Sequence, residues 1–362
     1  MANLCRRFRY SWPLNLKRSH YSLNPTPSIR SQIQSFNHLQ RTKSTLIAPD
    51  KKIEKVLLVQ KPKSEQCNSA LKSIFLFIEK SFPNITPLVE GQVLDPDLRK
   101  EIDLVIALGG DGTILHVSYL FKNIPCPPIL GFNLGTIGFL LPFPPLNFNQ
   151  VVKMVINGEF STKERMRLSC NLSSSEGSYS KPHDNSPKEL FSPIGLSAMN
   201  EVSIHRSHSP HMIPLNISIE GELLTQAVAD GLIIATPTGS TAYSCSAGGP
   251  IVHPNMEAIL VTPICPRSLS FRPLILPSDV TLKLNLDPRS ESPAELNLDG
   301  ISIATIKPGE SIEVKRSDSP IKLYTPCTGF STNYYWINDL NLMLNFNQSF
   351  QSKQPSPVIK LK

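Results

Sequence analysis

Apolar residues fall along this chain in two rhythms, and the change near residue 146 is the first guide to its architecture. Before it, short unbroken apolar runs alternate with helical spacing. "KKIEKVLLVQKP" holds a continuous run from Val56 to Val59 that ends at Pro62, the pattern of a strand buried on both faces. "NSALKSIFLFIEKSF" places apolar residues at 71, 74, 75 and 78, the stripe of an amphipathic helix. "IDLVIALGG" predicts a second buried strand, "TILHVSYLFKN" a second helix, and "PPILGFNLGTIGFLLPF" a third strand running into a glycine-rich loop. Strand–helix–strand–helix–strand requires crossovers and a parallel sheet. Residues 50–145 are therefore expected to form a Rossmann-like α/β domain.

Beyond it the period becomes two. "LNISIEGELL" (215–224), "VTLKLNL" (280–286), "AELNLDGISIATI" (294–306) and "SIEVKRS" (311–317) alternate apolar and polar residues between Gly, Asp and Pro turns. That is antiparallel β structure, so residues 146–330 are expected to form an all-β, sandwich-like domain. Residues 171–198, rich in Ser, Pro, Gly and Asn, read as a flexible insertion between two strands. In the tail at 331–362, "NYYWINDLNLMLNFN" has apolar residues at 336, 337, 340 and 344 and predicts one more helix. No internal repeat is present.

Charge changes the picture at one end only. The formal charge of +7 suggests a polyanionic partner, yet residues 1–49 carry eight basic residues and no Asp or Glu. Removing those eight from the 36 Lys and Arg leaves 28 against 29 acids, a body near neutrality. Neither nucleic acid nor a membrane is therefore an expected partner, and no run reaches the ~18 apolar residues of a membrane span. An Arg- and Ser-rich, acid-free N-terminus without a long apolar stretch reads as an organelle transit peptide, with a basic tail of no particular partner as the alternative. The seven cysteines form no C-x-x-C pair, which suits a reducing compartment and small buried side chains.

Three segments carry candidate chemistry. "GGDGT" (109–113) follows a strand and opens a helix, so Gly109, Gly110 and Gly112 permit close backbone approach to phosphate oxygens at a positive helix end. Asp111 among them would be repelled by phosphate. Its open roles are metal coordination, acceptance of a hydroxyl proton, or helix capping. "ADGLIIATPTGSTAYSCSAGGP" (229–250) couples a buried strand to a loop of hydroxyls and bare backbone. That loop suits hydrogen bonding to a ribose or an amide, or is a plain turn; Asp230 before the strand is a natural ribose partner. "AMNEVSIHRSHSP" brings Asn200 and Glu201 to the start of a strand, where adjacent side chains face opposite ways unless the backbone bulges. His205, His208 and His211 have no Cys or carboxylate companions at ligand spacing, so no protein metal site is expected.

The order of GGDGT, "GFNLGTIGFL" (131–140), Asn200-Glu201, "DGLIIATPTGSTAYSCSAGGPIVHP" (230–254) and "TPICPRSLSFRPLILP" (262–277) resembles the NAD kinase family over residues 51–345. With the basic leader it resembles the fungal mitochondrial NADH kinases in particular. The resemblance implies transfer of the ATP γ-phosphoryl group to the 2′-hydroxyl of the adenosine ribose of NAD or NADH, with Mg2+ spreading the transferring charge. It implies small-molecule partners, a homo-oligomer, a mitochondrial matrix location, and a C-terminal helix that returns to the first domain. Under it Asp111 is the general base, and Gly109, Gly110 and Gly112 border the phosphates. Asn200, Glu201 and Asp230 fall on the dinucleotide, and Thr241, Ala242, Tyr243 and Ser246 line its pocket. The chain departs from the family at Val228, where many members carry a basic side chain, and at Cys265, where a small residue is common. A lipid kinase of the diacylglycerol or sphingosine type shares G-G-D-G but lacks the TPTGSTAY block. A non-catalytic dinucleotide sensor is expected to lack the aspartate.

Overall fold

The computed structural model describes residues 52–93, 95–135, 138–143, 148–173 and 196–325, with helical residues 336, 337, 339–341, 343 and 344 near the C-terminus. The leader expected at 1–49 and most of the expected insertion at 171–198 lie outside the described residues.

The first part of the chain alternates strands and helices. In order they are β1 (Lys55–Gln60), α1 (Glu65–Ser81), β2 (Thr86–Val89), α2 (Pro96–Lys100), β3 (Leu104–Gly109), α3 (Asp111–Leu120), β4 (Ile129–Asn133), α4 (Phe148–Ile156) and β5 (Ser161–Arg165). Helix α1 starts where the Ser64 side chain accepts the Cys67 N–H, and it buries Cys67, Ile74 and Ile78 against the sheet. Strand β3 is buried along its whole length, as its unbroken apolar run requires. Strands β2, β1, β3 and β4 are parallel neighbours in that order.

Thirteen strands follow, opening with β6 (Leu168–Ser173), β7 (Leu196–Ala198), β8 (Glu201–His205), β9 (Ile213–Ile219), β10 (Glu222–Ala229) and β11 (Gly231–Ala235). After the short helix α5 (Tyr243–Ser246) come β12 (Ala258–Ile264), β13 (Leu274–Pro277), β14 (Leu282–Leu286), β15 (Ala294–Leu298), β16 (Ile301–Ile306), β17 (Ser311–Arg316) and β18 (Ile321–Thr325). Twelve of the thirteen build two antiparallel sheets, ordered β10-β9-β14-β17-β6-β7 and β13-β12-β11-β8-β15-β16. Their inward-facing residues, among them Leu215, Ile217, Leu284 and Val314 from one sheet and Val202, Ile204, Leu232 and Leu296 from the other, form a single apolar core. This is a β-sandwich.

The remaining strand, β18, leaves the sandwich. It sits parallel to β4 in the first sheet and receives β5 antiparallel on its far side. The first sheet is thus completed by residues 161–165 and 321–325, and the boundary expected at 145/146 cuts it short. "IKLYT" buries both faces, Ile321 and Leu323 on one and Tyr324 on the other. An isolated buried strand carries no label of its partner, because pairing across some 190 residues is set by packing.

Candidate active site

Asp111 is the first residue of α3, and Gly110, not Asp111, occupies the capping position. The aspartate serves a different backbone. Its Oδ2 accepts the Phe139 N–H at 2.9 Å and its Oδ1 the Leu140 N–H at 3.0 Å, so it anchors the loop after β4. Burial holds its carboxyl above the ordinary range, while the two N–H groups pull the other way. Gly109 is required by space, since a Cβ there would collide with the Thr113 hydroxyl. Gly110 and Gly112 have no neighbour that a Cβ would meet.

Asn200 and Glu201 lie where one long strand breaks into β7 and β8. The Asp299 carboxylate holds the break, accepting from the backbone N–H groups of Met199, Asn200 and Glu201 at 2.8, 2.7 and 3.1 Å. Met199 packs in one cluster with Ile114 and Val117 of α3, which seats this break against the helix that Asp111 opens. Across β8, Glu201 and Ser203 pair with Ala235 and Ile233 of β11, and His205 with Gly231. Glu201, Ser203 and His205 therefore share one sheet face, opposite the sandwich core.

The loop after β11 roofs that face. Thr236 donates its hydroxyl to the Met199 carbonyl and accepts the Gly239 N–H, and a Cβ on Gly239 would strike the Asn200 backbone. Tyr243 stacks on His205 with ring centroids 5.5 Å apart. Its phenol is raised above the ordinary value by burial first, then by Cys265, Glu201 and Asp230, which places those groups around one ring. Glu201 is buried, and its carboxyl is pushed up to about 8 by burial and the Asp299 charge against a Tyr243 backbone N–H. Its Oε2 has no hydrogen-bond partner among the described residues.

Two expected residues serve partly other ends. Asp230 is ion-paired with Arg206 at 2.9 Å, so a cation stands beside the expected ribose partner although Val228 is apolar. The Thr241 hydroxyl donates to the Thr238 carbonyl within its own turn, while Ala242 and Ser246 lie on the short segment around Tyr243. Asp299 was absent from the sequence reading, because an Asp-Gly pair with positive φ at both positions signals a hairpin turn rather than a brace. The C-terminal helix adds two more residues. Trp336 packs edge-on to His253 with centroids 4.7 Å apart, and burial together with the Asp111 charge raises the Asp339 carboxyl to about 6. The charge of Asp111 is thus felt at Asp339 on this helix. A cavity of about 690 Å³ opens elsewhere, beside Glu164, Asp279, Lys315 and Lys322, and none of the expected site residues lines it.

Residues 28–160 match the ATP-NAD kinase N-terminal domain and residues 199–325 the ATP-NAD kinase C-terminal domain. The mitochondrial NADH kinase of Schizosaccharomyces pombe is 36% identical over 313 residues, spanning 82% of this chain and 76% of that protein. The mitochondrial NADH kinase of Saccharomyces cerevisiae is 35% identical over 354 residues, spanning 83% of this chain and 82% of its own length. A crystal structure of yeast NADH kinase complexed with NADH superposes with a TM-score of 0.72 at 36% identity, covering 84% of this chain and 91% of that one. An NAD kinase from Archaeoglobus fulgidus in complex with ATP shares the fold, with a TM-score of 0.59 at 23% identity. With both domain matches in chain order on the architecture found here, the chain belongs to the ATP-NAD kinase family.

Proposed function

We infer that the chain is an NAD(H) kinase, transferring the γ-phosphoryl group of ATP to the 2′-hydroxyl of the adenosine ribose of NAD or NADH. The observation that carries this reading is Asp111. It is a half-buried carboxylate fixed by two backbone N–H groups at a glycine-lined helix start, and the same helix packs through Ile114 and Val117 against Met199, next to Asn200 and Glu201. Phosphoryl transfer asks little covalent chemistry of a protein; in-line positioning and charge stabilisation supply most of the rate.

In this reading Asp111 takes the 2′-hydroxyl proton, and burial, which raises its pKa, makes it a better base. Asn200, Glu201 and Asp230 hold ribose hydroxyls and amide groups of the dinucleotide, and Tyr243 supplies a flat wall over them. Glu201, protonated at neutral pH, can donate a hydrogen bond as well as accept one. Among the described residues no three His, Cys, Asp or Glu side chains converge to hold a metal. Mg2+ commonly binds through substrate phosphates with few protein ligands, so in this reading it would arrive with ATP. When bound, Mg2+ would neutralise charge on the transferring phosphoryl group.

The acid-free leader and the mitochondrial relatives favour the mitochondrial matrix as the place of action. No helix among the described residues is long and apolar enough to cross a membrane. The deciding experiment incubates the full chain with ATP–Mg2+ and either NAD or NADH and follows 2′-phosphorylated product. Product with either dinucleotide supports the reading, and the rate ratio reports the preferred redox form. No product from a chain that binds dinucleotide would leave a sensor in its place.

A further inference from the structure

Arg165, at the end of β5, is out of keeping with its surroundings. Its Nε and Nη1 atoms are closed off from solvent, yet neither has a hydrogen-bond partner among the described residues. Burial alone sets the direction of its pKa, downward, with no carboxylate acting against it. Arg167, two residues on, is the internal contrast. It donates to the carbonyls of Ser319 and Phe121 and lies in the field of Asp299. Guanidinium N–H groups removed from water without an acceptor are costly, and a bound ligand can supply the missing acceptors.

Three observations locate it. In the β5–β18 pair, Lys163 lies opposite Leu323 and Arg165 opposite Ile321. Opposed residues share a face, and Ile321 and Leu323 pack in one cluster with Ile114 and Val117 of α3. Both cations therefore project on the side of the sheet that carries Asp111. Arg167 reaches the Phe121 carbonyl at the C-terminal end of α3. Because β5 runs against β18, β4 and β3, stepping back to Arg165 and Lys163 climbs toward the N-terminal end of that helix.

His253 ties the group together. Burial and then the charges of Arg165 and Lys163 lower its imidazole, so the three side chains share one neighbourhood without a carboxylate among the causes. Trp336 packs on His253, and Asp339, one helical turn further, feels Asp111.

We propose that Arg165, with Lys163 and His253, forms an anion pocket on the α3 side of the first sheet that binds phosphoryl oxygens of the nucleotides. The planar guanidinium fork matches such oxygens better than a point charge does. Two sources share this chemistry: the polyphosphate of ATP and the 2′-phosphate of the product. The assignment rests on the kinase reading for the identity of the ligand, but the pocket can be tested apart from turnover.

The test uses Arg165→Met and Arg165→Lys in the full chain, reading melting temperature with and without saturating ATP–Mg2+, KM for ATP and for the dinucleotide, and Kd for NADP(H). The free Arg165→Met protein should melt no lower than wild type, since no internal bond is lost. Its ATP-induced thermal shift should shrink and its KM for ATP rise about 10–100-fold, the worth of charged hydrogen bonds, with dinucleotide KM nearly unchanged. Arg165→Lys should recover part of the loss. If ATP affinity holds and NADP(H) affinity falls instead, the pocket stands and its ligand is the 2′-phosphate. Unchanged affinity for both overturns the proposal, whether or not the free protein melts lower. Should Arg165→Met fail to fold, Arg165→Lys decides by the same two affinities. A wild-type chain that forms no product but shows an Arg165-dependent ATP shift would refute the kinase reading and leave this one.

Discussion

Asp111 accepts backbone N–H groups from Phe139 and Leu140, and each of its oxygens keeps a further lone pair for a substrate. Structure and chemistry are therefore joined in one side chain, and Asp111→Asn should show both. Loss of the base should lower kcat by about 10²–10⁴-fold. An amide offers one acceptor oxygen in place of two, so one backbone N–H goes unpaired, costing about 1–3 kcal/mol. A coupled assay of NADP(H) formation and a denaturation curve read the two effects separately; near-wild-type turnover would remove Asp111 from the chemistry. Glu201 gives a pH signature. Its folded pKa of about 8 lies above its ordinary 4.5, so below 4.5 both folded and unfolded chains hold the proton. Between those values only the folded chain keeps it, so stability falls as pH rises through the window. Glu201→Gln is neutral throughout, and its melting temperature should fall less than that of wild type from pH 5 to 8. Parallel curves would mean that Glu201 is ionised in the folded protein. Asp299 faces the same carboxyl, and its charge is part of what raises it.

At the scale of elements, the site depends on a break between two strands rather than on a strand. Asp299 on the β15–β16 turn binds three consecutive N–H groups across the gap between β7 and β8. Asp299→Ala should leave all three without that acceptor and destabilise the fold by more than about 3 kcal/mol, measured in urea, with Asp299→Asn between it and wild type. A loss below about 1 kcal/mol would show that water replaces the carboxylate. The elements themselves were largely legible: β1, β3 and β4 from their unbroken runs, α1 from its stripe, and β14 to β17 from alternation. The sequence also announced that Asn200 and Glu201 could share a ligand only if the backbone bulged. That it breaks there, and that a residue nearly a hundred positions away holds the break, has no local signal.

At the scale of the molecule, three sheets are arranged so that the catalytic candidate and the dinucleotide candidates come from different parts of the chain, joined by Met199 against α3, while the C-terminal helix packs Trp336 on His253. Residues 1–49 stand apart by charge alone, eight bases and no acid. Fused ahead of a fluorescent reporter they should carry it into mitochondria, and replacing the Arg and Lys by Gln should leave it in the cytosol; import of the Gln form would show that basic charge is not the signal. What the sequence determined by itself were the properties set by near neighbours: strand and helix rhythm, the glycine-rich turn after β3, the charge of the leader, and the family resemblance of the motifs. The tertiary structure alone decided which strands meet, placing β18 and β5 in the first sheet, and which side chains lose water. Burial and long-range contact give Asp111 and Glu201 their raised pKa values, pair Asp230 with Arg206, and leave Nε and Nη1 of Arg165 without an acceptor among the described residues. Those properties depend on dielectric surroundings and on acceptors far away in sequence, and no spacing of residues along a chain encodes either.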